Sequence, residues 1–214
     1  MVEKQVNDVL KILHKTYPTL RHYLNFSNPL ELFVATILSA QVRDEVVNAT
    51  TDVLFKKYKT VAEYARTDLQ ELIDDIKKVS FPANKAKNIK EACKILAEKY
   101  QGKVPRTMEE LTALSGIGRK SANAILQNAF GIVEGITVDT HVLRVSYRLG
   151  WTTTDKNAEK SEEQLMQVIP KAEWKMFPWL MKAHGRTICK APVPECSKCP
   201  VNKLCPKQGV KKST

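Results

Sequence analysis

The protein has 214 residues, of which 43% are hydrophobic, and these values indicate a globular chain with a buried core rather than a disordered one. The longest apolar run, residues 32–40, is too short to cross a membrane, and residues 1–11 lack a secretory signal, so we expect an intracellular protein, cytoplasmic if prokaryotic, without membrane contact. The net charge of +11 favours a polyanionic partner, nucleic acid first; a solvated lysine-rich surface without a partner is the alternative.

Apolar residues recur with helical spacing along almost the whole chain. Residues 6–13 show the i, i+3, i+4, i+7 pattern, and residues 30–40 predict a buried helix that begins at Asn28-Pro29. Four further helix starts have the pattern of a capping box: Thr60/Glu63, Thr67/Gln70, Thr107/Glu110 and Ser161/Gln164. Period-two alternation is rare. We therefore predict an all-α fold of roughly ten short helices.

A glycine-containing hairpin, residues 114–121, lies between two predicted helices. It fits no nucleotide-binding fingerprint, because no strand precedes it and the phosphate-loop spacing is absent. Gly116 and Gly118 permit a tight turn whose backbone N–H groups can approach a phosphate, and we expect the second helix to begin near Gly118. A purely structural turn is the alternative.

Lys120 falls in the first turn of that second helix. The positive end of the helix and the neighbouring Arg119 both favour the neutral amine, provided that the site is partly desolvated. A neutral lysine amine is a nucleophile that can form a Schiff base. From these residues alone, a solvated surface lysine is the more ordinary interpretation.

An acid and a histidine begin a later predicted helix. Asp139 can cap this helix, or it can be a carboxylate that stabilises a developing cation or guides a proton. His141 alone is more often a hydrogen-bonded structural histidine than a catalyst. The residue types leave both interpretations of Asp139 open.

Four of the five cysteines lie close together near the end of the chain, with the spacing C-x6-C-x2-C-x5-C. They are Cys189, Cys196, Cys199 and Cys205. Four clustered thiols in an intracellular protein indicate a metal centre rather than disulfides, and the ligand type allows zinc or an iron–sulfur cluster. Zinc ribbons usually carry two C-x2-C pairs, whereas this segment has one. Cys93 is predicted to be a small buried apolar residue.

These motifs together resemble the endonuclease III family of DNA glycosylases and AP lyases. The resemblance rests on residues 38–41 (LSAQ), 116–122 (GIGRKSA), 138–141 (VDTH) and 184–186 (HGR), and on the four cysteines, in family order and spacing. It implies a two-lobed helical glycosylase fold with a helix-hairpin-helix. It also implies a C-terminal loop that binds a [4Fe-4S] cluster, in preference to zinc.

The resemblance also implies a division of the chain into five segments. The N-terminal helix, 1–27, is expected to pack on the cluster lobe, and 28–132 is expected to form a six-helix barrel lobe that carries the hairpin. Residues 133–188 would complete the second lobe. Residues 189–205 would form the cluster loop, and 206–214 a basic tail.

The activity implied is that of a bifunctional base-excision-repair DNA glycosylase for oxidised pyrimidines, a monomer that acts on double-stranded DNA with damaged bases or abasic sites. Lys120 would attack the sugar and cleave the strand by β-elimination, and Asp139 would stabilise the cationic sugar. Gln41 would fill the space left by the flipped base, and Phe81 would be a second wedge. The other expected DNA-binding residues are Gly116, Gly118, Arg119, His141, Arg186, Lys190 and Lys198.

Several residues depart from the family pattern near the expected wedge and base pocket. Ser115 replaces a frequent proline and is expected to loosen the hairpin, Arg43 replaces a threonine, and residues 80–83 read SFPA. These changes leave the preferred base open. The alternatives are a mismatch or uracil glycosylase of the same fold, and a DNA-binding homologue without catalysis; the presence of Lys120 with Asp139 counts against the latter.

Overall fold

The computed structural model describes residues 2–20 and 23–214, and these residues form helices and no strands, which confirms the predicted all-α class. No helix in these two ranges is long and apolar enough to cross a membrane. The α-helices are α1 (Val2–Thr16), α2 (Pro29–Ser39), α3 (Asp44–Lys57), α4 (Val61–Arg66), α5 (Leu69–Asp75), α6 (Pro82–Lys99), α7 (Met108–Thr112), α8 (Arg119–Phe130), α9 (Thr140–Arg148), α10 (Ala158–Val168) and α11 (Phe177–Thr187). Short 3-10 turns lie at Lys171–Glu173 and Cys196–Lys198.

Three of the predicted helix starts are confirmed. The Asn28 side chain accepts a hydrogen bond from the Glu31 backbone N–H, with proline at the first helical position. Thr60 and Glu63 form a complete capping box. Thr107 also caps its helix through its side chain. Each bond satisfies a backbone donor that the helix itself leaves without a partner.

The two other capping predictions are wrong, because another residue caps each helix: Asp68, next to Thr67, and Asn157, four residues before Ser161. Asp68 caps α5, and its carboxylate accepts from two backbone N–H groups. Thr67 instead ends α4. Asn157 caps α10, so Ser161 lies inside that helix, where it is buried. Asp is a stronger helix cap than Thr, so Asp68 replaces Thr67. Asn and Ser cap about equally well, so cap strength does not explain why α10 begins after Asn157.

One compact unit consists of residues 22–132. Its core surrounds α2, in which residues 32–38 are all buried, as the apolar run predicts. Leu72, Ile89 and Leu126, from α5, α6 and α8, belong to the same core. The hairpin of residues 114–121 belongs to this unit.

The other compact unit combines residues 1–21 with 133–214. The predicted apolar stripe of α1 lies in its core, since Val6, Val9 and Leu13 are completely buried. They share this core with Phe177 of α11 and with Val201, which lies between two of the clustered cysteines. The first helix of the chain and the cysteine segment (residues 189–205) are therefore parts of one unit.

Candidate active site and metal centre

The hairpin of residues 114–121 packs against α6. Gly116 has φ +82°, in the left-handed region that favours glycine, and a Cβ at this position would lie 3.0 Å from the Asn88 side chain. Nearby on α6, Glu91 accepts a hydrogen bond from Ser115 Oγ at 3.1 Å. The expected loosening by Ser115 is therefore offset by a bond that ties the turn to α6.

The helix after the hairpin begins without a side-chain cap. Gly118 is its N-cap, as predicted, and Arg119 is its first residue. Because glycine has no side chain, the first N–H groups of α8 lack the capping bond that Asn28 and Thr60 supply to their helices. This helix end is therefore able to offer N–H donors to an anion.

Lys120 is the second residue of α8 and has an exposed side chain. A neutral amine at Lys120 requires a site that is partly desolvated. In the free protein water reaches this lysine, so the condition requires a bound ligand that excludes water from it.

Asp139 is the N-cap of α9, which confirms the capping interpretation. Its Oδ1 accepts hydrogen bonds from the backbone N–H groups of His141 and Val142, both at 2.8 Å. These two bonds hold the half-buried carboxylate in one orientation. Its other oxygen, Oδ2, accepts no hydrogen bond from the part of the chain that the structure describes.

His141 is held by Arg144, one turn further along α9, which the sequence analysis did not single out. Arg144 Nη2 donates to His141 Nδ1 at 3.2 Å and to the Gly185 carbonyl at 2.9 Å. Burial and nearby cations lower the pKa of His141 below its usual 6.5, so the ring is a neutral acceptor here. A Cβ on Gly185 would lie 2.7 Å from His141 Nδ1, so glycine is needed for this close approach.

The two predicted wedge residues, Gln41 and Phe81, share an unusual backbone. Their φ angles are 57° and 55°, both left-handed, and neither is glycine. Both side chains are exposed, Phe81 by 62%. Ser80 Oγ donates to the Gln41 carbonyl at 3.1 Å and so connects the two turns. Conformations of this kind cost free energy and cluster at functional sites.

Lys85, on α6, supports the same region from inside and was missed by the sequence analysis. It is only 5% exposed, and its Nζ donates to the carbonyls of Leu38 (2.8 Å) and Ala40 (2.7 Å) at the end of α2. Burial lowers its pKa. The available signal was its place four residues before Ile89, on the apolar stripe of α6, where a surface lysine does not belong.

Three of the four clustered cysteine sulfurs have hydrogen-bond partners. Arg148 Nη1 lies 3.4 Å from Cys189 Sγ, and the Lys207 backbone N–H lies at the same distance from Cys205 Sγ. The third, Cys199 Sγ, lies 3.6 Å from His184 Nε2. Burial raises the pKa of Cys199 to about 11, and burial lowers that of His184 to about 4. Thiolate ligands thus need a bound cation here.

All four cysteines are free thiols, and they line one cavity together with Arg148 and His184. Within the described ranges no three His, Cys, Asp or Glu side chains are grouped as ligands of a single metal ion. In an iron–sulfur cubane each thiolate binds a different iron, so its ligands surround a larger body. Four thiols around one cavity, with donors directed at the sulfurs, therefore fit such a cluster.

Of the basic residues expected to contact phosphates near the cysteines, two are ion-paired and one is exposed. Lys190 and Lys198 both form ion pairs with Glu195, at 2.5 Å and 3.1 Å. Phosphate binding by either lysine would require it to exchange this carboxylate. Arg186 is exposed in the last turn of α11.

Residues 34–171 match the family described as HhH-GPD superfamily base excision DNA repair protein. Endonuclease III of Synechocystis sp. is 44% identical over 204 residues, which cover 95% of this chain and 93% of that protein. Endonuclease III of Bacillus subtilis is 43% identical, covering 98% and 94%. A solved trapped endonuclease III–DNA covalent intermediate superimposes with a TM-score of 0.90 at 42% identity, covering 96% of both chains.

Proposed function

Because the chain belongs to the endonuclease III family of the HhH-GPD base excision DNA repair proteins, we propose that it is a bifunctional DNA glycosylase. It removes an oxidised pyrimidine and then cuts the strand at the abasic site. The observation that carries this proposal is Lys120, an exposed lysine in the first turn of the helix that follows the hairpin. A protein that only binds DNA has no need of a nucleophile there.

Lys120 Nζ attacks C1′ of the damaged nucleotide, and the glycosidic bond breaks as the base leaves with its electron pair. Ring opening turns the adduct into a Schiff base between Nζ and C1′. Loss of a proton from C2′ then expels the 3′ phosphate by β-elimination. DNA packed over the exposed side chain would exclude water and so favour the neutral amine that the first step needs.

Asp139 stabilises the positive charge that develops on the sugar. One carboxylate oxygen is held by two backbone N–H groups at the start of α9, which fixes the direction of the other. A preorganised charge of this kind acts without reorienting during the reaction. Its capping role and its catalytic role are therefore compatible.

The backbone N–H groups around Gly116 and Gly118 bind DNA phosphates, together with Arg119. The damaged nucleotide is flipped out of the duplex, and Gln41 and Phe81 occupy the space that it leaves. Their exposure and their shared left-handed backbone support this role. His141, Arg186, Lys190 and Lys198 complete the proposed DNA contacts, the last two by exchanging Glu195 for phosphate.

The cysteines Cys189, Cys196, Cys199 and Cys205 hold a [4Fe-4S] cluster. When bound, the cluster crosslinks a segment that contributes little to the apolar core. Arg148 orients this segment, because its guanidinium donates to the carbonyls of Cys189, Lys190 and Pro192 as well as lying near Cys189 Sγ. The protein acts on double-stranded DNA as a monomer.

Borohydride trapping on a duplex with one abasic site tests the lyase chemistry. The unaltered protein and a Lys94→Ala control, which changes an exposed lysine of α6, should give a covalent adduct, and Lys120→Ala should give none. Absence of the adduct in all three proteins, despite DNA binding, would contradict the proposal.

The class of base is tested on duplexes that contain thymine glycol, uracil or a G·T mismatch. We expect the fastest release from thymine glycol. Residues 80–83 and Arg43 depart from the family pattern beside the expected base pocket, so faster release of uracil or mismatched thymine would favour a mismatch or uracil glycosylase instead.

A further inference from the structure

His184 of α11 lies at the centre of a buried hydrogen-bond chain that ends on a cysteine. The residue is 2% exposed, and its Nε2 lies 3.6 Å from Cys199 Sγ. On the other side of the ring, Nδ1 lies 3.0 Å from the Tyr17 hydroxyl. That hydroxyl also lies 2.8 Å from Thr187 Oγ1, which in turn lies 2.9 Å from the Ala183 carbonyl.

We infer that His184 is a positioning residue for the proposed cluster, which donates its Nε2–H to the Cys199 thiolate while the Tyr17 hydroxyl fixes the required tautomer. The inference rests on the proposed cofactor and adds to it a residue that is not a ligand. It assigns a role to the histidine of the 184–186 motif and to a tyrosine that directly follows α1.

The direction of the bonds follows from counting protons. A thiolate bound to iron has no proton, so it can only accept, and the donor must be Nε2–H. When the imidazole carries this single N–H, Nδ1 is an acceptor and receives the Tyr17 hydroxyl proton. Thr187 Oγ1 then donates its proton to the tyrosine oxygen instead of to the Ala183 carbonyl. A tyrosine hydroxyl that donates to Nδ1 thus supports the tautomer that donates to sulfur, as a second layer of partners does at many metal sites.

This donor differs in kind from the donors to the two neighbouring sulfurs. Cys189 faces a guanidinium, and Cys205 faces a backbone N–H that no substitution can remove except proline. His184 is a side-chain donor, so its replacement removes the hydrogen bond to sulfur. A hydrogen bond to sulfur withdraws electron density from the cluster and favours its reduced form, so its loss should make the reduction potential more negative.

The test uses the cluster-containing protein with His184→Leu, Tyr17→Phe and a His14→Gln control. His14 is a partly exposed histidine of α1 that pairs with Glu173. The readouts are the midpoint potential by protein-film voltammetry and the Fe–S(Cys) stretching bands by resonance Raman spectroscopy, in H2O and in D2O. Neither readout responds to a general loss of stability.

We expect a more negative potential and a higher Fe–S(Cys) stretching frequency in His184→Leu, because the bond to sulfur is lost. A smaller change in the same direction is expected in Tyr17→Phe, and none in His14→Gln. A His184→Gln variant, whose amide can donate to sulfur, should recover part of the shift.

Unchanged potential and bands in a cluster-containing His184→Leu protein overturn the role of His184. If His184→Leu fails to assemble the cluster, Tyr17→Phe is used to test the role. If the shift of the Fe–S(Cys) bands between H2O and D2O is the same in Tyr17→Phe as in the unaltered protein, the role of His184 is overturned as well. Iron and sulfide analysis of the unaltered, reconstituted protein tests the proposed cofactor separately from the role of His184. A protein that binds no cluster overturns the proposed cofactor together with this role, whereas a bound cluster without the shifts overturns the role alone.

Discussion

The hairpin and the cysteine segment differ in where their hydrogen-bond donors are directed. At the hairpin, the first N–H groups of α8 have no side-chain cap and Lys120 is exposed. At the cysteine segment, Arg148 of α9 and His184 of α11 lie within hydrogen-bond reach of Cys189 and Cys199, respectively. One region leaves its donors open to a ligand that comes and goes. The other directs its donors inward, as suits a group that stays.

The lysine proposed to act on DNA is thus exposed, whereas the donors proposed to face the cluster are buried or half-buried. Changes in the open region should affect DNA processing and leave stability almost unaltered. Changes in the cysteine segment and in the donors around it should lower the stability of the folded state before they affect DNA processing.

The largest expected effect follows from Lys120→Ala. Loss of the nucleophile should reduce strand cleavage at an abasic site by more than about 10³-fold. Because the side chain is exposed, the free energy of unfolding in urea should change by less than about 0.5 kcal/mol. A clear loss of stability in this variant would show that Lys120 also supports the folded state, contrary to its exposure.

Removal of the cluster should act in the opposite sense. With iron removed by a chelator, amide hydrogen exchange in residues 186–214 should accelerate at least about 100-fold, because the crosslink between the four cysteines is lost. Amides of α2 and α6, in the other unit, should keep their protection. Equal acceleration in both places would show that the cluster does not stabilise its segment locally.

Asp139 allows charge and capping to be separated. Asp139→Asn keeps a good helix cap, so stability should be nearly unchanged while base release falls about 100-fold. Asp139→Ala removes the cap as well and should cost about 1 kcal/mol of stability. Single-turnover kinetics and urea unfolding measure the two quantities. Full activity in Asp139→Asn would restrict this residue to capping.

The smallest expected effect compares two glycines of left-handed backbone, one at each end of the α8 region. Gly131→Ala, with open space around it, should cost about 1 kcal/mol through backbone strain alone. Gly116→Ala also meets Asn88 at 3.0 Å, so its cost should be about 1 kcal/mol larger and DNA binding should weaken. Equal costs would mean that the hairpin gives way without disturbing α6.

The sequence predicted features that depend on neighbours along the chain. The all-α class, the caps at Asn28 and Thr60 and the start of α8 after Gly118 are confirmed, and the endonuclease III resemblance is confirmed by identities of 44% and 43% to curated members. The features that were missed depend on distant partners. Lys85 contacts carbonyls 45 and 47 residues away. The contact of Tyr17 with His184 spans 167 residues, and no local pattern encodes such a pair.

The capping predictions that failed show a second limit. A Thr-x-x-Gln pattern at residue 67 and a Ser-x-x-Gln pattern at residue 161 both have the correct spacing. They lost to Asp68 and Asn157, whose side chains accept backbone bonds at nearby positions. Spacing identifies candidates, and the relative strength of competing caps selects Asp68 over Thr67. Asn and Ser cap about equally well, so neither spacing nor cap strength located the start of α10.

The unit built from both ends of the chain has a consequence for synthesis. The apolar stripe of α1 leaves the ribosome early, but Val201 of its core follows about 190 residues later. At roughly 5 to 20 residues per second, this stripe stays exposed for on the order of 10 to 40 seconds. Residues 22–132 can complete their own core during this wait. Helix α1 is thus made well before the partners that bury it, which leaves it open to chaperones while the chain is still growing.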